Sequence, residues 1–264
     1  MKKVIAYIVV TALFVACSTV PITGRKRINF VSDSQILPTS FTQYETFLKE
    51  NKISTNAKAT AQIKNIGARI SSAVDKFMRK NGMSAEANTY RWEFNLVEDD
   101  QLNAWCMPGG KVVFYTGILP VAKNDDGIAA IMGHEVAHAF AKHGQERMSS
   151  AQLQQYGSTA VAIATSGKDE KSQQLWNMAY GVGSQLGMLK YSRTHETEAD
   201  KLGLVFMIMA GYDGQEAVRV WERMKALGGA SQPEFLSTHP SNDTRIQTLQ
   251  AYLPEAKRLA LKYK

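Results

Sequence analysis

The chain has 264 residues, 44% of them hydrophobic, and a formal net charge of +7, long enough for one substantial core. Its Lys and Arg residues are scattered and no aromatic-basic cluster appears, which argues against nucleic acid as a partner. Two cysteines and five histidines are too few for a disulfide scaffold or a metal store.

Met1-Lys2-Lys3 followed by the apolar run Val4 to Val15 reads as a secretory signal, too short for a membrane span of about 20 residues. It ends in Phe14-Val15-Ala16-Cys17, a small residue before cysteine as in bacterial lipoprotein signals, so Cys17 is the expected lipidation site. Residues 1–16 are then a signal, 17–34 a tether, and 35–264 a single domain. Helical patterns run over Gln35–Lys49 and Asn56–Asn81. Arg91 to Val97 alternates large apolar and polar residues and reads as a half-buried strand. Gln101–Met107 and Lys111–Thr116 flank Pro108-Gly109-Gly110, a hairpin connection. Cys106 lies in this hairpin and is expected to be a packed, inert thiol. With Cys17 lipidated, no intrachain disulfide forms. Further helices are expected at Gln145–Thr165, Ser172–Tyr191, Arg193–Ala210, Asp213–Leu227 and Asp243–Leu261, the last broken at Pro254. The fold class is mostly α with a small, largely antiparallel β-sheet (α+β).

Between sheet and later helices, residues 134–138 read His134-Glu135-Val136-Ala137-His138, inside the apolar run Ile128 to Ala141. Glu135 is the only Asp, Glu, Lys or Arg in that run, and burying it beside two imidazoles is costly unless something compensates. A metal would. At 3.6 residues per turn, the two histidines share a helix face and reach one tetrahedral Zn²⁺, with Glu135 beside the open position as general base. Chance placement of 5 His and 14 Glu would give roughly 0.005 matches to this pattern.

A catalytic zinc needs a third protein ligand. H-E-x-x-H-x-x-G-x-x-H is excluded because Ala141 and Gly144 stand where Gly and His would be required. His143 then reads as a cation near a helix C-terminus. Downstream, Glu196 and Asp200 are spaced i, i+4, so one carboxylate can bind metal while the other accepts the free ring N–H of a zinc histidine. His195 and Glu198 are rival ligands. His195 points about 100° away from Glu196 and reads as a surface residue.

Gly133 to His143 (G-H-E-x-x-H-x-x-x-x-H), Ser192 to Asp200 (S-R-x-x-E-x-x-A-D) and Thr238 to Ser241 (T-H-P-S) together resemble the gluzincin metallopeptidases. Within them the chain is similar to the family of CAAX prenyl endopeptidases, HtpX and OMA-type proteases. Thr19 to Arg25 is similar to its LoiP-like bacterial lipoprotein branch. The resemblance implies a zincin fold, one Zn²⁺ per chain held by His134, His138 and Glu196, Glu135 as general base and Asp200 behind the ligands. Asn103 and Ala104 resemble the cleft-lining segment of gluzincins and are candidate substrate contacts; core-strand packing is the alternative. Pro240 keeps His239 extended, and the resemblance places its loop near the metal, with Arg245 on the next helix. His239 is either an oxyanion donor or a latch on the open coordination position. The implied function is a zinc endopeptidase that hydrolyses damaged or misassembled envelope proteins, lipid-anchored to the outer membrane and facing the periplasm. The alternative is a zinc-stabilised chaperone that binds clients without turnover; an intact Glu135 argues against it.

Overall fold

The computed structural model describes residues 17–227, 235, 239 and 243–263; the expected signal, 1–16, lies outside them. The described residues fall into two compact units, one within 17–35 and 142–195, the other within 36–141 and 196–263.

In the first unit, β1 (Cys17–Thr19) and β2 (Lys26–Ile28) form an antiparallel hairpin. Val20, Arg27 and Val31 are buried, so the segment expected as a tether includes folded structure. α6 (His143–Thr165) and α7 (Glu170–Met209) supply the rest of this unit, α7 as far as His195. Where the sequence suggested two helices, α7 is one, because neither proline nor glycine interrupts the residues around Ser192.

The second unit holds α1 (Asp33–Glu50, from Ile36 onward), α2 (Ala57–Lys80), α3 (Ser84–Ala87), β3 (Glu93–Val97), β4 (Ala104–Met107), β5 (Lys111–Tyr115), α4 (Leu119–Ala122), α5 (Asp125–Phe140), the end of α7, α8 (Gln215–Ala226) and α9 (Asp243–Tyr263). The sheet order is β3-β5-β4. β4 and β5 form the expected hairpin, and Gly109 and Gly110, at φ 84° and 86°, supply the left-handed turn that side chains resist. β3 pairs parallel to β5, so the sheet is mixed rather than largely antiparallel. α9 continues through Pro254; burial of Leu249, Leu253, Ala256 and Ala260 outweighs the missing hydrogen bond.

Three features of this unit position the site. The Asn124 side chain accepts from Gly127 N at 2.8 Å, capping α5, and Asp125 and Asp126 suit the positive end of the helix. Phe77 of α2, Phe140 of α5 and Phe206 of α7 pack edge to face, with centroids 5.1–5.8 Å apart. Finally, α5 and α7 meet at Gly133 and Gly203: a Cβ on Gly203 would lie 2.7 Å from Gly133 C and His134 N. Two glycines thus let the backbones touch one residue before His134, and one turn beyond Asp200.

Candidate metal centre

His134 and His138 project from one face of α5, and their Nε2 atoms lie 3.1 Å apart. Glu196, two turns before Gly203 on α7, brings Oε2 to 3.4 Å from His134 Nε2 and Oε1 to 3.4 Å from His138 Nε2. A tetrahedron of bonds 2.0–2.1 Å long has edges of about 3.3–3.5 Å. Each ring nitrogen faces a different oxygen of the Glu196 carboxylate, and one donor atom from each residue lies within 4.8 Å of the others; the set can close on a zinc ion, and all three residues are buried.

Behind them, Asp200 Oδ1 lies 3.0 Å from His134 Nδ1. This holds the ring so that Nε2 faces the other donors. Arg245 of α9 grips Asp200 with two hydrogen bonds of 2.7 Å, and its Nη1 is 3.3 Å from Glu196 Oε2. The guanidinium carbon sits 3.4 Å above the Trp221 ring, a cation–π contact that fixes the fork. Trp221 also meets His134 edge to face at 5.3 Å. Sequence reasoning placed Arg245 near the metal only by resemblance and missed Trp221, which carries no local signal.

Charge in the cluster is strongly redistributed. Burial and Arg245 push the His134 imidazole down, but hydrogen bonds to Asp200 and Glu196 outweigh them and lift its pKa to about 9. Burial alone would raise Glu196, yet hydrogen bonds from His134 and His239 hold it well below the usual carboxylate range. Asp200 is lowered against its own burial by Arg245 and His134. Glu135 moves the other way: burial raises it, only partly opposed by His239 and His134. Among the described residues its buried Oε1 has no hydrogen-bond partner, and it lies 3.7 Å from His239 Nε2.

His239 belongs to the same cluster: its Nδ1 is 2.8 Å from Glu196 Oε2 and 3.3 Å from His134 Nε2. The His239 amide donates to Phe235 O at 2.8 Å. Phe235 is fully buried, stacks with Trp221 at 5.8 Å, and donates its own N–H to Leu102 O at 3.3 Å, next to β4.

Of the expected substrate contacts, Ala104 opens β4 and is buried, while the Asn103 carbonyl accepts from Tyr115 N. Among the described residues β4 is an edge strand, hydrogen-bonded within its sheet to β5 alone, and packs beside α5. Burial pushes the half-buried Cys106 thiol well up, with the Glu135 charge adding to it. Two expectations are corrected. His195 is 1% exposed, not a surface residue, and His143 is fully buried as the first residue of α6, stacked on His195. The Glu198 side chain is also buried.

The family model for peptidase family M48 matches residues 65–253, a span that contains the entire cluster. The chain belongs to peptidase family M48. It is 33% identical over 242 residues to the mitochondrial metalloendopeptidase OMA1 of Schizosaccharomyces pombe, covering 90% of this chain and 66% of the relative. Against the Saccharomyces cerevisiae protein of the same name it is 36% identical over 181 residues, covering 64% and 49%. The β-barrel assembly-enhancing protease of Escherichia coli is 25% identical over 170 residues, covering 61% and 35%. The chain thus spans under two thirds of the length of these relatives. Zinc is the metal that the family and this donor set share.

The expected placement on the outer membrane is overturned by these likenesses, because the OMA1 relatives are mitochondrial. Among the described residues no helix is long and apolar enough to cross a membrane.

Proposed function

We propose that the chain is a zinc-dependent endopeptidase acting on extended polypeptide segments. The observation that carries this reading is the convergence of His134, His138 and Glu196, the two ring nitrogens 3.1 Å apart and each 3.4 Å from one oxygen of the Glu196 carboxylate, beside a buried carboxylate on the same helix as the histidines. Zinc, when bound, supplies a Lewis acid for the scissile carbonyl and for the attacking water. Glu135 takes the proton from that water and delivers it to the leaving amine; its raised affinity for protons suits both transfers. Asp200 keeps His134 in the ligating tautomer, and Arg245 keeps Asp200 ionised and aimed. The outer edge of β4, at Ala104, offers main-chain hydrogen bonds to a substrate strand, with Asn103 beside it. Such pairing demands an extended backbone more than a sequence, as damaged or misassembled proteins provide.

His239 acts as a latch in this reading. Its Nδ1 stands 2.8 and 3.3 Å from two ligand atoms, close to tetrahedral edges, so it completes the ligand set until substrate displaces it. Acylation of Cys17 rests on the Phe14–Cys17 sequence and carries no compartment with it. Casein digestion by wild type and Glu135→Gln, with zinc measured in both, tests the activity. The variant should keep about one catalytic zinc and lose most turnover; a variant that cleaves as wild type removes Glu135 from the chemistry.

A further inference from the structure

A second group of metal-type donors lies within the first unit. His143 opens α6, Glu146 follows one turn later on the same face, and His195 is contributed by α7. All three are at most 1% exposed, and each offers a donor atom within 4.8 Å of the others. His195 Nε2 is 3.1 Å from Glu146 Oε2. The His143 and His195 rings stack with centroids 4.1 Å apart and planes 11° apart. Arg25 closes the group, donating to Glu146 Oε1 at 2.9 Å and Oε2 at 2.5 Å.

We propose that His143, Glu146 and His195 form a second binding site for a divalent transition-metal ion, distinct from the catalytic centre. Two imidazoles and one carboxylate suit zinc, cobalt or nickel; calcium and magnesium call for oxygen donors. Taking two imidazoles and a carboxylate wholly out of water carries a desolvation cost. A shared ion gives both rings a common role. Each carboxylate oxygen has two acceptor directions: the ion takes the second direction of Oε2, next to His195, while Arg25 keeps its bonds to Oε1 and Oε2, as a neighbour that steadies a ligating carboxylate.

Two features set the strength of the site. Stacked rings direct their in-plane lone pairs nearly parallel, so loading tilts one ring, and the donors close by about 1 Å to reach tetrahedral edges. Arg25 also faces the ion with like charge, whereas the catalytic centre sets Glu196, Asp200 and Glu135 against Arg245. The second ion therefore binds more weakly than the first. It ties the start of α6 to the residue that directly precedes Glu196 in the chain.

The test is a zinc titration of the chelator-stripped full chain against a chromophoric competitor, with bound metal counted by mass spectrometry. Wild type should take two equivalents, the second more weakly. His195→Phe keeps a ring stacked on His143 but has no donor, so it should fold by circular dichroism and take one equivalent. His134→Ala should lose the tighter equivalent and retain the weaker. Saturation of wild type at one equivalent, or two equivalents retained by His195→Phe, overturns the proposal.

Discussion

Substituting Gly203 by alanine perturbs the site without touching any of its side chains. The added Cβ would stand 2.7 Å from Gly133 C and His134 N and 2.8 Å from Gly133 O, against ordinary contacts of 3.4 Å or more. These neighbours are backbone atoms and cannot rotate away, so α5 and α7 must separate by about 0.7 Å to relieve the overlap. A shift of that size takes the 3.0 Å contact between His134 and Asp200 beyond hydrogen-bond range. It also stretches the 3.4 Å edges to Glu196 past those of a tetrahedral zinc site. Overpacking costs about 1–3 kcal/mol, while alanine regains about 1 kcal/mol over glycine in a helix. The net loss of stability is thus small, and zinc affinity is the sharper readout. It should fall about 10–100-fold, as when a ligand loses its hydrogen-bonded support. The assay compares zinc dissociation constants by chelator competition for wild type, Gly203→Ala and Gly181→Ala. Gly181 lies on the same helix with nothing within 4 Å of an added Cβ, so it should keep wild-type affinity and gain slightly in melting temperature. Wild-type affinity in Gly203→Ala would refute the claim that the helix crossing sets the ligand geometry.

Other outcomes follow from the charges. Arg245→Lys loses the two-pronged grip on Asp200 and leaves a buried carboxylate poorly compensated; it should cost about 3 kcal/mol, read by urea denaturation, and a loss under 0.5 kcal/mol would count against that role. His134, held near pKa 9 without metal, must lose its proton to bind zinc, so apparent affinity should rise about tenfold per pH unit below 9 and level off above. Calorimetry in buffers of different ionisation enthalpy should show about one proton released at pH 7.5; a flat profile between pH 7 and 8.5 would exclude it. In the zinc-free protein the same raised pKa favours the fold fully below about pH 6.5, and this contribution fades as pH climbs through 9. The lowered Glu196 and Asp200 contribute above the ordinary carboxylate range and lose that contribution as pH falls, so thermal melts should show a maximum between these limits. His239→Ala should raise kcat/KM on casein several-fold as a released latch, whereas a drop of about 100-fold would make His239 a transition-state donor.

The residues legible in the sequence are those whose partners lie one helical turn away. His134 with His138, and Glu196 with Asp200, each carry their geometry in an i, i+4 spacing, so a helix alone presents each pair on one face. What joins the pairs is the close approach of Gly133 and Gly203, and two glycines so far apart in the chain announce nothing singly. The helix phase rightly turned His195 away from Glu196, but phase gives a direction and not what lies there. The direction His195 takes leads to His143 and Glu146 instead of water. The same blindness hid Trp221: an aromatic at core spacing on an amphipathic helix is ordinary packing until Arg245, from another helix, is seen lying on its face. The mixed sheet has a related cause. Alternation marks β3 as half-buried but does not tell which edge of the β4–β5 hairpin it joins; it takes the outer edge of β5. Local spacing thus chose the donors, and non-local packing decided what surrounds them. The surroundings set the protonation of His134 and Glu135, so the chemistry of the site depends on residues its motif does not contain.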